Sequence, residues 1–297
     1  MSGFGEPLRR VSGTREPAVL VTVAKALGST PREAGARMLV TAADVAGTIG
    51  GGRLEFDAIA RARDMIVGDA PSSSMDVPLG PEIGQCCGGR VLLTLERVDA
   101  ALLDRLESEA AAEMARQPGV LVFGAGHTGR ALAAALAPLP LTVRLVDSRP
   151  ETLEGLPPAV ATIAAAMPEA EVAKAQPGSA FVVMTHDHAL DFLITAAALA
   201  RSDAAYVGMI GSATKRERFR RHLAEAGREA DIARLVLPIG GAALRDKRPT
   251  VIAALTAAEI ATCLFSDQAE KLPARLAAGI SQCHSGPEDS EGVPPPQ

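Results

Sequence analysis

The chain has 297 residues, long enough for two domains, and 47% of them are hydrophobic against 22% charged, the balance of a globular protein in water. Aromatic residues make up only 3%, with no Trp and one Tyr, so the core must come from Ala, Val, Leu and Ile, and base-stacking recognition of nucleic acid is disfavoured. A net charge of −5 also opposes phosphate-backbone binding, and no apolar run reaches the length of a membrane span. The opening residues 1–6 lack the apolar core of a signal peptide, which predicts a cytoplasmic protein with reduced thiols.

In chain order, residues 1–16 read as polar and loosely held. Residues 18–24 have strand composition, and residues 37–40 are the expected partner. Between them Gly28, Pro31 and Gly35 punctuate a loop that carries Arg32. Gly50, Gly51 and Gly52 then precede a helical pattern over residues 54–67. Such a run leaves backbone N–H groups free at a helix start, an anion-binding geometry, although a plain glycine turn ending a strand is the commoner origin of an isolated run.

Cys86 and Cys87 follow, two of four cysteines side by side, with Gly88 and Gly89 directly after them. Pro78, Gly80, Pro81 and Gly84 upstream mark a loop, a poor place for core packing, and glycine backbone lets a ligand come close. A thiolate there can serve as a nucleophile or a soft metal ligand. An incidental vicinal pair in a surface hairpin stands as an even alternative. The four cysteines show no C-x-x-C spacing, which argues against a structural zinc site. Residues 91–95 form another strand, and the Ala/Glu/Leu-rich residues 100–116 a helix ended by Gln117-Pro118-Gly119. Residues 1–117 are thus expected to form a small α+β domain that gathers Arg32, the glycine run and the cysteine loop.

Residues 118–265 read as a Rossmann-like, doubly wound parallel sheet. An apolar strand over residues 120–123 runs into Gly124-x-Gly126-x-x-Gly129 and an alanine-rich helix, and a second strand over 142–146 ends in Asp147. That acid lies at the spacing expected for ribose hydroxyls, which points to a nucleotide such as NAD(P), although the fold is reused for other ligands. The alternation continues with a strand over 180–185, a helix over 191–200, a strand over 205–210, a basic helix over 214–226 and an apolar one over 251–265. His186, with Asp187 and His188, falls at a strand end, where hydrogen bonds to a ligand are a better expectation than a metal. Ser212 begins a helix with Lys215 one turn in, which favours an anion; the plain alternative is a Ser N-cap on a solvated basic helix. Residues 266–297 are read as a largely disordered tail, acidic and then proline-rich.

With these residues assembled, the chain resembles the XdhC/CoxI family. The matching segments are Gly28-Ser29-Thr30-Pro31-Arg32-Glu33, Gly35-Ala36-Arg37-Met38, Gly47-Thr48-Ile49-Gly50-Gly51-Gly52, the Leu79–Gly89 cysteine loop, Gly124-Ala125-Gly126-His127, the stretch from Thr185-His186 to Asp191, and Gly208-Met209-Ile210-Gly211-Ser212. They cover about residues 18–262. The resemblance implies a cofactor maturation and insertion factor rather than an enzyme. Such proteins bind the molybdenum cofactor (molybdopterin), keep it while its molybdenum receives a terminal sulfido ligand, and deliver it to apo xanthine dehydrogenase in purine catabolism, with a cysteine desulfurase as sulfur donor. It implies Cys87 first and Cys86 second as the essential residues, with Cys87 a candidate contact to molybdenum. Gly88, Gly89, Gly50–Gly52, Arg32 and Arg37 are candidates for the cofactor's phosphate. Arg53 stands where relatives often carry His or Cys, and Val251 where a Glu usually follows the proline. Two rival functions remain open, an NAD(P)-dependent oxidoreductase and a sulfurtransferase with a persulfide on Cys86 or Cys87. A homodimer is a candidate assembly.

Overall fold

The computed structural model describes residues 5–79, 88–241 and 246–266. The chain divides into two compact units, Met1–Gln117 and Pro118–Gln297. The first opens with α1 (Gly5–Thr14), where the sequence suggested loose chain. Leu8 and Val11, one helical turn apart, are buried with Ala18, Leu20, Leu39, Leu102 and Leu106. Burying each contributes about 2 kcal/mol, which is what holds so short and polar a helix in place.

β1 (Ala18–Leu27) and β2 (Arg37–Thr41) pair antiparallel with Leu20 opposite Leu39, as their composition predicts. β3 (Val45–Gly47), α2 (Gly52–Gly68), β4 (Ser72–Pro78), β5 (Arg90–Arg97) and α3 (Ala100–Arg116) complete the unit. The sheet runs β3-β2-β1-β5-β4 and is antiparallel throughout. Alternation along β1 and β2 sends Val19, Val21, Val23, Met38 and Val40 to one face, against Leu54, Ala58, Ala62 and Met65 of α2. Ala18, Leu20 and Leu39 face the other way, against α1 and α3. The sequence hides β4, because three serines stand where β-branched residues would announce a strand.

The second unit is β6 (Gly119–Phe123), α4 (His127–Leu136), β7 (Thr142–Asp147), β8 (Val160–Ala164), α5 (Ala170–Ala173), β9 (Ala180–Val183), α6 (His188–Ala200), β10 (Tyr206–Met209), α7 (Ala213–Glu225), β11 (Leu235–Val236) and α8 (Pro249–Phe265). All six strands are parallel, in the order β11-β10-β9-β6-β7-β8. The central strands are buried on both faces, which is why they read as continuous apolar runs. α4 and α8 cover one face through Leu132, Leu136, Ala253 and Ile260, and α6 and α7 cover the other through Ile194, Leu199, Phe219 and Leu223. Winding runs outward from β6 through β7 to β8, then restarts at β9 and runs the other way. The carboxyl ends of β6 and β9 therefore flank a crevice at the switch point. α8 begins with Pro249 at its first position, two residues before residue 251, since proline is pre-set for a helix start and its missing N–H leaves nothing unpaired there.

Candidate functional site

In the first unit three loops meet at one end of the sheet. β1 ends and β5 begins with Leu27 opposite Arg90, so the chain after β1 and the chain before β5 emerge together. Ser29 and Gly88 form an isolated bridge. A Cβ on Gly89 would run into the Ser29 carbonyl and lie 2.8 Å from the Leu27 carbonyl, so only glycine fits there. The Leu79 N–H donates to the Gly89 carbonyl at 2.7 Å. The third loop packs on the first: a Cβ on Gly50 would come within 2.7 Å of Pro31 and 3.6 Å of Arg32. Gly51 and Gly88, both at positive φ, have open space on their bare side. Arg32 is exposed, and its guanidinium makes no ion pair or hydrogen bond among the described residues. Cys86 and Cys87 lie outside the described residues.

Two expectations change here. Two of the three N–H groups in the glycine run, those of Gly50 and Gly51, are already taken. Glu55, on the first turn of α2, reaches back so that Oε2 accepts from the Ile49 N–H, the Gly51 N–H and the Thr48 hydroxyl at 3.1, 3.1 and 2.6 Å. The Gly50 N–H donates to Thr48 Oγ1 at 3.1 Å. The turn already holds an anion, its own carboxylate; an acid just inside a helix start is the signal that points to it. Arg37 does not join the three loops either. It alternates with Met38 and so shares the α3 face of the sheet, where Nη1 lies 2.5 Å from Glu109 Oε2. Arg53 pairs with Asp57 along α2 at 2.8 Å. Among the described residues no group of three His, Cys, Asp or Glu side chains is disposed to hold a metal ion.

In the second unit the crevice is a cleft of about 210 Å³, open mouth included, lined by Gly124, Asp147, Ser148, Thr185 and His186 among others. The three fingerprint glycines have different reasons to be there. Gly124 sits at φ +107, and a Cβ on it would be 2.5 Å from the Met184 carbonyl. A Cβ on Gly129 would collide with the Gly124 carbonyl. Gly126 has an ordinary φ of −70 and faces open space. The fold demands glycine at the first and third positions only; at the second, a bare backbone serves an approaching ligand.

Asp147 is buried at the end of β7, and both its oxygens are taken. Oδ2 accepts from the Ala125 N–H at 2.7 Å and Arg149 Nη2 at 3.1 Å, and Oδ1 accepts from the Arg149 backbone N–H and Nε, both at 3.0 Å. Burial alone would raise its pKa; the bonds from Arg149 and Ala125, with the guanidinium charge, outweigh it and hold the carboxyl below its ordinary range. The expectation of a carboxylate free for ribose hydroxyls is corrected by this cluster. Arg149 sits two residues on, and only the turn after β7 brings it back.

The next two loops are tied together from below. Asp191 of α6 is fully buried; Oδ1 accepts from the Thr185 N–H and hydroxyl at 2.9 and 2.7 Å, while Oδ2 takes Lys215 Nζ at 2.5 Å. Lys215 also donates to the Ile210 carbonyl at 2.9 Å, passing where a Cβ on Gly211 would be. Its charge is therefore internal and not offered to an anion, and α7 is not simply a solvated basic face. Ser212 caps α7 through the Lys215 N–H at 3.4 Å, and Asp187 caps α6 through the N–H groups of Ala189 and Leu190. His186 is exposed on the wall of the cleft.

A parallel six-strand sheet with a glycine turn at its switch point defines the second unit as a Rossmann-like domain, preceded here by an antiparallel α+β unit. The family model described as the XdhC Rossmann domain matches residues 120–260, and that of the XdhC and CoxI family matches residues 13–74. The chain belongs to the XdhC and CoxI family. Among curated proteins it is 28% identical over 236 residues to the uncharacterized protein YqeB of Escherichia coli, a match covering 75% of this chain and 39% of that one. The chain thus spans about two fifths of that relative's length. Among solved structures it is similar, at a TM-score of 0.73 and 20% identity, to one reported as a xanthine dehydrogenase from Bacillus halodurans, covering 89% of this chain and 96% of the other. At that identity the likeness is one of fold.

Proposed function

We propose that this protein is a maturation factor for a xanthine dehydrogenase. It binds the molybdenum cofactor as cargo, keeps it while molybdenum acquires a terminal sulfido ligand from a cysteine desulfurase, and delivers it to the apoenzyme. The observation that carries this reading is the convergence of the residue 28–32 loop, the residue 48–51 turn and Gly88–Gly89 at one end of the first sheet. Family membership agrees with it. The donor set suits the cargo. Arg32 is an exposed cation with no partner among the described residues, suited to the pterin's phosphate. The bare backbone at Gly51 and Gly88 leaves room for a ligand to lie close. Cys87, next to Gly88, is the proposed soft ligand for molybdenum or its sulfur, with Cys86 second; a thiolate suits that role and a thiol does not. Glu55 holds the glycine turn in shape and touches no cargo in this scheme. The second unit contributes a nucleotide site at the crevice beside Gly126.

The test loads the purified protein with molybdenum cofactor, passes it through gel filtration, and measures molybdenum per chain beside activation of apo xanthine dehydrogenase. Cys87→Ala is expected to lose both, Arg32→Ala to retain about tenfold less, the fold-change of one charge-assisted hydrogen bond. Full molybdenum retention and activation by Cys87→Ala would overturn the role of that residue. Failure of the wild-type protein to retain molybdenum would overturn the function.

A further inference from the structure

We infer that the crevice of the second unit selects a nucleotide bearing a phosphate on its adenosine ribose, and that Arg149 is the selecting residue. The inference rests on the nucleotide reading of this crevice and is independent of the cargo reading of the first unit. In a site for an unmodified ribose, the acid ending the second strand offers free oxygens to the 2′- and 3′-hydroxyls. Asp147 occupies that position but already accepts four hydrogen bonds, from Ala125 and three groups of Arg149. A carboxylate has about four acceptor positions, so two further hydroxyl donors find none left.

Beside that carboxylate, which lines the cleft, stands a cation. The Arg149 guanidinium is pinned by Nε and Nη2 on Asp147, and its side chain is 41% exposed. Among the described residues the two hydrogens of Nη1 and the second of Nη2 have no acceptor. A fork fixed along one edge, with free donors along the other, suits the bidentate recognition of a phosphate. Ser148, between the two, lines the cleft with an exposed hydroxyl that makes no bond among the described residues. Glu151 is the other charge near the guanidinium and sits on the following turn. A Cβ on Gly126, at the start of α4, would meet nothing within 4 Å, which leaves backbone room there for the pyrophosphate.

A 2′- and a 3′-phosphate share this chemistry, and the test separates them. Calorimetric titration of the full-length protein would compare NADP+ with NAD+, and 2′,5′-ADP and 3′,5′-ADP with 5′-AMP. The phosphorylated member of a pair is expected to bind at least about tenfold more tightly, the worth of one hydrogen bond to a charged group. Arg149→Gln should erase that preference and raise affinity for NAD+, because it frees Asp147; a merely structural Arg149 would weaken all ligands together. Should that variant fold poorly, Arg149→Lys keeps the charge without the fork and is expected to retain only part of the preference. No preference in the wild type for NADP+ over NAD+ nor for either bisphosphate over 5′-AMP, or a preference that survives Arg149→Gln, overturns the inference and leaves the nucleotide reading standing. No binding of any of these ligands overturns both, and leaves the cargo reading of the first unit untouched.

Discussion

A methyl group on Gly129 has nowhere to go, since the Gly124 carbonyl already fills the space, whereas one on Gly126 meets nothing within 4 Å. Gly129→Ala is therefore expected to destabilise the second unit by about 3 kcal/mol, an overpacking cost, and Gly126→Ala to leave stability nearly unchanged. Urea denaturation of the two variants checks this, and calorimetry should show Gly126→Ala, or more sharply Gly126→Val, weakening nucleotide binding. At this scale the glycine pattern was legible because each glycine follows a strand with fixed spacing. The partners of the acids were not. Arg149 lies two residues beyond Asp147 and Glu55 four beyond Gly51, and only a chain turning on itself brings either group back.

The buried link between α6 and α7 belongs to the scale of elements. Asp191 holds the start of its own loop through Thr185 and the neighbouring helix through Lys215. Lys215→Met leaves an unpaired carboxylate with no solvent exposure, and should cost about 3–5 kcal/mol. Replacing both residues, as Asp191→Asn with Lys215→Met, should recover part of that loss in a double-mutant cycle by denaturation. α8 carries a second buried acid. Glu259 Oε2 accepts from the Tyr206 hydroxyl at 2.9 Å and the Gly240 N–H at 3.1 Å. Burial raises its pKa above the ordinary 4.5, and those two bonds only partly oppose the rise. The folded state then holds this proton more tightly than the unfolded chain does, so stability is greatest below the ordinary value and falls as pH rises from there through the raised one. Glu259→Gln keeps an oxygen for both donors and has nothing to titrate, so its stability should fall less than the wild type's as pH rises above the ordinary 4.5, read by chemical denaturation. The major helices and central strands were legible from their apolar periods. β4, β11 and α1 were not, since two are short and the third is rich in serine.

At the scale of the whole molecule, the two units have separate cores. One is built around a five-stranded antiparallel sheet and the other around a six-stranded parallel one. Their contrast was legible in the sequence, where glycine- and proline-broken strands give way to a regular strand–helix alternation. Separate cores imply separable sites. If the first unit holds the cofactor and the second a nucleotide, a lesion confined to a ligand-facing residue of one should leave the other's ligand bound at wild-type affinity. Arg32 and Gly126 are suited to this test, because Arg32 is exposed with no partner among the described residues and a Cβ on Gly126 meets open space. Arg32→Ala should lower molybdenum retention while nucleotide affinity, measured calorimetrically, stays unchanged. Gly126→Val should weaken the nucleotide and leave molybdenum retention intact when no nucleotide is present. If Gly126→Val instead lowers retention in nucleotide-free protein, the two units act on a single ligand and the assignment of a distinct site to each is wrong. If retention by wild type but not by Gly126→Val rises on adding nucleotide, the sites are distinct yet coupled, and by linkage the bound cofactor must tighten nucleotide binding by the same factor.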